Sequence, residues 1–159
     1  MKFVPAPNKD APESVVIFRI NAREEALLLA MLRLYPVLEN SHHRISQDPK
    51  AAASAEQRLL EESMGQQRAA HRRKGDALFQ TPQRFFKEVL GERHLVLTGA
   101  QLEWLLQVLN DIRVGSWVRL GSPDLEKPAS LQLTRAGARS LQAMQICGEF
   151  QLALLEAVK

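Results

Sequence analysis

Residues 95–121, LVLTGAQLEWLLQVLNDIRVGSWVRLG, constrain the fold more than any other part of this sequence. Thr98 is followed three residues later by Gln101, which is the capping-box pattern that starts a helix. At about 100° per residue, the apolar side chains that follow cover almost half of the helix circumference. They are Leu102, Trp104, Leu105, Leu106, Val108, Leu109, Ile112 and Trp117. An arc this wide predicts a central helix that contacts at least two other helices.

The composition is that of an ordinary globular domain. The chain has 159 residues, of which 45% are apolar and 25% charged, enough for one sizeable core. The net charge of +3 (21 basic minus 18 acidic residues) neither favours nor excludes a nucleic-acid partner. With a single cysteine, Cys147, an intrachain disulfide and a cysteine-rich zinc site are excluded, which favours a reducing compartment. The sequence predicts a cytoplasmic protein without a signal peptide or membrane contact.

The predicted fold is mainly α: a compact bundle of about five helices with a short N-terminal strand. Residues 1–13 are predicted to form a flexible arm, and residues 14–159 a single helical domain. The expected strand is 14–20, with minor strands at 95–97 and 131–133. The expected helices are 22–38, 50–74, 82–90, the central helix, and 134–158. Asn21 and Glu24 form a capping box for the first helix, and Thr134 caps the last.

Glycines leave the extent of the second helix open. Gly65 interrupts its pattern at a cost of about 1 kcal/mol relative to alanine. Gly75 is expected to end it.

Polar residues at the margins of the central helix are the first candidates for a site. Asp111 lies directly below Trp104 at one edge of the apolar arc, and Arg113 lies at the other edge. A carboxylate at the edge of a core needs donors, so Asp111 either caps another segment or pairs with an arginine. The candidate partners are Arg19, Arg113 and Arg119. Alternatively, Asp111, Arg113, Arg119, Trp104 and Trp117 belong to a site for a ligand or a partner.

A basic cluster precedes Gly75. It consists of Arg68, Arg72, Arg73 and Lys74. One interpretation places these cations in the last turn of a helix, where they offset the negative end of the helix dipole. The other makes them a binding site for an anion, such as nucleic acid or an acidic protein surface.

The central segment also resembles a bacterial family catalogued as domain of unknown function twenty-seventeen. The similarity rests on Trp104-Leu105, on the run 109–113 (LNDIR), and on Gly115 with 119–121 (RLG). The opening segment 18–38 is similar in character to the family's first strand and helix. The resemblance implies a predominantly helical, intracellular protein. Actinobacterial relatives are often encoded beside the ClpS adaptor, which implies a regulatory or proteostasis role without catalytic residues.

Residues 119–141 resemble the wing and following helix of MarR- or PadR-like winged-helix regulators, through Leu133-Thr134 and Gly137. For catalysis, by contrast, the sequence offers no convergent set: His42 and His43 are adjacent, and no histidine has a neighbouring nucleophile. We therefore expect a non-enzymatic protein without metal or cofactor. The favoured function is a protein-binding regulatory or adaptor module that forms a homodimer, with its interaction surface around the central and final helices. The alternative is a winged-helix-like transcriptional regulator that binds DNA through the basic cluster or through residues 121–133.

Overall fold

The computed structural model describes residues 1–4, 15–38, 55–124, 134–156 and 158. Within these ranges the chain forms four strands and four α-helices. In chain order they are β1 (Lys2–Val4), β2 (Val15–Arg19), α1 (Ala22–Leu32), α2 (Ala55–Gln80), β3 (Phe86–Val89), β4 (Glu92–Thr98), α3 (Gly99–Arg119) and α4 (Arg135–Leu155). The described part is mainly helical, as predicted, but it also contains a four-stranded antiparallel sheet.

Three helices begin at the polar residues that the sequence indicated. The side chain of Asn21 accepts a hydrogen bond from the backbone of Glu24, whose carboxylate accepts one from the backbone of Asn21. Thr98 and Gln101 form the same reciprocal pair at the start of α3. Thr134 accepts one backbone hydrogen bond in the first turn of α4. Each such cap stabilises its helix by about 1 kcal/mol, so local sequence fixes three helix starts.

The sheet has the strand order β1-β2-β4-β3. Phe18 of β2 pairs with Leu95 of β4, and both side chains are completely buried. Leu97 is buried on the same face, as the two-residue period of a strand requires. The prediction of a minor strand at 95–97 was therefore too modest, because β4 is a seven-residue strand with a neighbour on each side. β1 comes from the segment predicted to be an arm.

The helix predicted at 82–90 was wrong, so the described part has four α-helices rather than five. One turn of 3₁₀-helix, Pro82–Arg84, is followed by β3. β3 and β4 are joined by Leu90 and Gly91, whose φ angles of 54° and 78° are both positive. Two positive φ angles in a two-residue loop match the right-handed twist of the strands that the loop joins. The apolar spacing that predicted a helix belongs instead to a hairpin.

α3 is the central helix of the core, as predicted. Its buried side chains are Leu102, Trp104, Leu105, Val108, Leu109, Ile112 and Ser116. α4 packs along it and buries Ala143, Cys147, Phe150 and Leu154. α1 ends at Leu32 rather than near residue 38, and the chain then crosses α3 at Gly115. A Cβ atom on Gly115 would lie 2.8 Å from the Cβ of Val37, so only glycine permits this approach.

α2 continues through both glycines to Gln80, which makes the predicted stop at Gly75 wrong. The reason is packing beyond the glycine: Leu78 is 1% exposed. Burying a leucine contributes about 1.5–3 kcal/mol, which exceeds the cost of about 1 kcal/mol for glycine in a helix. Of all its residues, only Gln57, His71 and Leu78 are buried. α2 is therefore attached to the body through a few side chains and is otherwise exposed.

Some predictions fall outside the described ranges. These are the arm residues 5–13, the histidine pair His42 and His43, the start of the second helix at 50–54 and the strand 131–133. Most of the wing-like segment 121–133 lies outside them as well. The final helix ends at Leu155 rather than at residue 158. In the ranges described, every helix is too short or too polar to cross a lipid bilayer.

Candidate functional site

The candidate residues separate into three places in the structure. Asp111 and Trp104 face α1 and α2, where they meet part of the basic cluster. Arg113 and Trp117 line a groove between α3 and α4 on another side of α3. Arg119 lines a separate depression beside the start of α4. The predicted five-residue network is therefore not one site, and the group around Asp111 is the one with converging polar side chains.

Tyr35, His71 and Asp111 form the centre of this group. Tyr35 follows α1, His71 lies on α2 and Asp111 lies on α3, so each of three segments supplies one side chain. The phenol oxygen of Tyr35 is 3.5 Å from Nδ1 of His71, and the two ring centroids are 6.1 Å apart. The negative charge of the Asp111 carboxylate acts on the Tyr35 hydroxyl and helps to raise its pKa. Arg19, one of the suggested partners of Asp111, forms an ion pair with Glu92 instead.

Burial and charge change the acid–base properties of this group. Burial, with the nearby charge of Asp111, raises the pKa of Tyr35 to about 12. Burial also lowers the pKa of His71, which the charge of Lys74 lowers further and that of Asp111 partly offsets. At neutral pH the tyrosine is therefore a hydroxyl donor and the histidine a neutral imidazole.

A further polar side chain of α3 lies near His71. Gln107, one turn before Asp111 on α3, opposes the lowering of the His71 pKa. The amide nitrogen of Gln107 donates to Glu103 at 3.4 Å, one turn further back. The imidazole, which is 6% exposed, thus lies buried between Tyr35 and α3, with polar side chains on both sides.

A cavity of about 310 Å³ opens beside the group. Its apolar wall consists of Leu32, Phe79 and Val108, and its polar wall of Arg33, Tyr35, His71, Arg72 and Asp76. Trp104 and Gly75 complete the lining. The indole of Trp104 is 3% exposed, yet its Nε1–H has no hydrogen-bond acceptor. Its Cζ2 atom, on the same edge as Nε1, lies 3.9 Å from a Cβ placed on Gly75. A buried N–H donor without an acceptor costs about 1–3 kcal/mol.

The basic cluster does not form one patch. Because α2 continues to Gln80, these cations are not in its last turn, and the interpretation as a helix-end device is wrong. At about 100° per residue, Arg68 and Arg72 lie on one side of His71 and Lys74 on the other. Arg73 lies about 160° away from His71 around the helix. The charges of Arg68 and Arg72 act on Tyr35, whereas the charge of Lys74 acts on His71 from the other side.

Arg33 adds a third cation at the mouth of the cavity. Its guanidinium lies 5.5 Å from the centroid of the Phe79 ring, a cation–π distance that holds it over the cavity wall. Among the residues that the structure describes, Arg33, Arg68 and Arg72 form no ion pair. The mouth therefore carries three cations, Arg33, Arg68 and Arg72, and two acidic side chains: Asp76, which lines the cavity, and Asp111, whose charge acts on Tyr35.

The described side chains at the cavity include hydrogen-bond donors but no strong nucleophile. A phenol with a raised pKa is a poor nucleophile, and no cysteine or serine lines the cavity. The described ranges contain no group of three metal-ligating side chains. What the cavity offers is a set of donors: the Trp104 indole and the arginines at its mouth.

Tyr35, His71 and Gln107 were not predicted as site residues from the sequence. The spacing of Tyr35 suits the apolar face of the first helix, and His71 has no other histidine or cysteine near it in the sequence. One pattern in the sequence could have indicated His71: Arg68, His71 and Gly75 are three and four residues apart, so they share one face of a helix. That face carries two polar side chains and, at the glycine, room for a neighbouring segment. The three-segment contact itself depends on helix packing, which spacing does not encode.

The chain matches none of the protein-family models, curated proteins or solved structures with which it was compared. The resemblance to the bacterial family of unknown function stays a prediction.

Proposed function

We propose that this protein is a non-enzymatic binding module that receives an acidic segment of a partner protein at the mouth of the cavity. The observation that carries the proposal is the buried Nε1–H of Trp104, a donor without an acceptor beneath three cations. A carboxylate entering the cavity would supply the missing acceptor and meet the charges of Arg33 and Arg72. The chain would then act as an adaptor or regulator in the cytoplasm.

The charges at the mouth favour a carboxylate as the recognised group. Arginine binds carboxylates through paired N–H donors, and such charge-assisted hydrogen bonds are about twice as strong as neutral ones. The cavity volume of about 310 Å³ suits one or two side chains rather than a folded surface. The apolar wall would hold the stem of a glutamate while the arginines bind its head. A flexible acidic peptide therefore fits better than a small rigid anion.

Nucleic acid is the competing partner, and the placement of the cations argues against it. Duplex DNA is bound by several cations that follow its backbone along one face. Here Arg73 and Lys74 are turned away from Arg68 and Arg72, so the cluster cannot meet one phosphate backbone together. A recessed indole donor is also out of reach of a duplex phosphate.

The proposal is tested with a short polyglutamate peptide and with duplex DNA. Replacing Trp117 with phenylalanine leaves Trp104 as the single tryptophan, so its fluorescence reports on the cavity. We expect polyglutamate to change this fluorescence with an affinity that falls as salt rises, and polylysine to have no effect.

Two double variants with the same charge change separate the cavity from general electrostatics. Arg68→Glu with Arg72→Glu should weaken polyglutamate binding at least tenfold. Arg58→Glu with Arg73→Glu places two exposed changes away from the cavity, because Arg58 is about 21 Å from Arg72 along the axis of α2 and Arg73 is on another side of the helix; it should leave binding within about twofold. Equal losses in both double variants would refute the proposed site. Tight binding of duplex DNA that both double variants weaken would instead identify a nucleic-acid regulator.

A further inference from the structure

α4 has a second apolar face that the core does not use. We name the residues Leu141, Met144, Gly148, Leu152 and Leu155 the outer stripe. At about 100° per residue they lie together on a face of α4 about 130° around the helix from the buried residues. Leu152 is 70% exposed and Leu155 45% exposed, whereas Leu141 and Met144 are half-buried. The charged residues of α4 lie on one flank and leave the stripe uncharged.

The two halves of the outer stripe differ in shape. Its first half borders a groove of about 530 Å³, which lies between Leu141 and Met144 of α4 and Val114 and Trp117 of α3. The Trp117 indole donates a hydrogen bond to the Pro123 carbonyl at 3.1 Å, which fixes this wall of the groove. In the second half, Leu152 and Leu155 are exposed and project from the surface. One half is therefore a recess and the other a pair of apolar projections.

The recess and the projections are equally distant from Gly148. Leu141 and Leu155 lie seven residues on either side of it, about 10.5 Å along the helix axis. Met144 and Leu152 lie four residues on either side, about 6 Å along the axis. A Cβ placed on Gly148 would meet no atom within 4 Å, so this point is open to close approach by another helix.

We propose that the outer stripe is a homodimer interface in which α4 packs antiparallel against α4 of a second copy, with the two-fold axis at Gly148. In this arrangement Leu155 of each copy faces Leu141 of the other, and Leu152 faces Met144. The projecting leucines of each copy enter the groove of the other, so both recesses are filled by one symmetry operation. Such a contact is closed and self-complementary, which is the usual form of a dimer interface.

Other occupants fit less well. A charged peptide would find no charge on the stripe itself and only Arg113 in the groove, and an unrelated apolar helix would not have to carry both the projections and the recess that this contact uses. The interface is on a different side of α3 from the cavity, so the dimer proposal does not depend on the proposed function.

The oligomeric state of the full chain tests the interface. Sedimentation equilibrium should show a concentration-dependent dimer for the unaltered protein. Leu152→Glu should raise the dimer dissociation constant at least tenfold without unfolding the monomer, because the side chain is 70% exposed. Leu59→Glu is the matched control, since Leu59 is 66% exposed on α2 and should leave the dimer unchanged. A monomer at all concentrations, or equal association of the Leu152→Glu variant, would overturn the proposal.

Cysteine cross-linking tests the antiparallel geometry. Chains carrying Leu141→Cys and chains carrying Leu155→Cys should form a disulfide when they are mixed under oxidising conditions, and neither should do so alone. Burial raises the pKa of the native Cys147 to about 12, so this thiol does not compete. Cross-linking of each variant with itself, but not of the mixture, would indicate parallel helices and refute the geometry.

Discussion

Gly115→Ala should destabilise this protein, although alanine normally stabilises a helix interior. In an open helix the exchange contributes about 1 kcal/mol. At Gly115 the new methyl carbon would lie 2.8 Å from Cβ and 3.2 Å from Cγ1 of Val37. A Cβ atom is fixed by the backbone, so no rotamer of Val37 relieves the contact and the two segments must move apart. Overpacking of this kind costs about 1–3 kcal/mol, and a fixed-atom clash lies at the upper end.

The net effect is a loss of about 2 kcal/mol in the free energy of unfolding, or about 4–8 °C in melting temperature for a chain of this size. Thermal unfolding followed by circular dichroism measures it. Gly65→Ala is the matched control, because a Cβ there meets no atom within 4 Å. That change should raise the melting temperature by about 2–4 °C.

A double-mutant cycle measures the interaction between residues 37 and 115 directly, whatever each single substitution does to the free energy of unfolding. Val37→Gly removes the atom that causes the clash, at the cost of a buried side chain. In that background Gly115→Ala should no longer be destabilising. A higher melting temperature for Gly115→Ala alone, or an unchanged penalty in the Val37→Gly background, would refute the packing argument.

Three further predictions concern the polar group and the α3 cap. Burial lowers the pKa of His71 below its unfolded value of 6.5. The contribution of His71 to the free energy of unfolding is therefore complete above about pH 6.5 and is lost as the pH falls below that value. Urea unfolding at several pH values measures this loss, and His71→Gln should make the free energy of unfolding less dependent on pH in this range. Tyr35 is the only tyrosine, so ultraviolet titration of the chain should show phenolate formation near pH 12. Asp111→Asn should lower that pKa and also the melting temperature, and a titration midpoint near 10 in the unaltered chain would contradict the burial of the phenol beside Asp111. Thr98→Ala should lower the free energy of unfolding by about 1 kcal/mol, and a change of a few tenths would show that the α3 cap is dispensable.

Local patterns predicted the starts of α1, α3 and α4, because a cap and its hydrogen-bond partner lie three residues apart. The apolar arc of α3 likewise follows from spacing alone. The hairpin of β3 and β4 did not, since Phe85, Phe86, Val89 and Leu90 satisfy a helical period as well as a strand. Pairing of β4 with β2, about 80 residues apart in sequence, decides between the two. Spacing within one segment carries no information about such a pairing.

The candidate site was predicted in part for the same reason. Asp111 and Trp104 were identified because one helix displays both, and Arg68 and Arg72 because they are close in sequence. Their meeting with Tyr35 depends on the relative positions of three segments, which only the packed core determines. The extension of α2 past Gly75 depends in the same way on a contact made three residues later, by Leu78.

The sparse attachment of α2 has a thermodynamic consequence for whatever occupies the cavity. His71 is buried against the rest of the protein, Gly75 lies close to Trp104, and both line the cavity. Detaching this part of α2 therefore removes one wall of the binding site. A bound ligand must therefore slow amide hydrogen exchange in α2 by the factor by which it favours the attached state. Global unfolding also removes the site, so the amides of α3 that exchange only through global unfolding should be slowed by the same factor. Occupancy of the cavity could thus be read from α2, the less protected helix, without knowing what the ligand is.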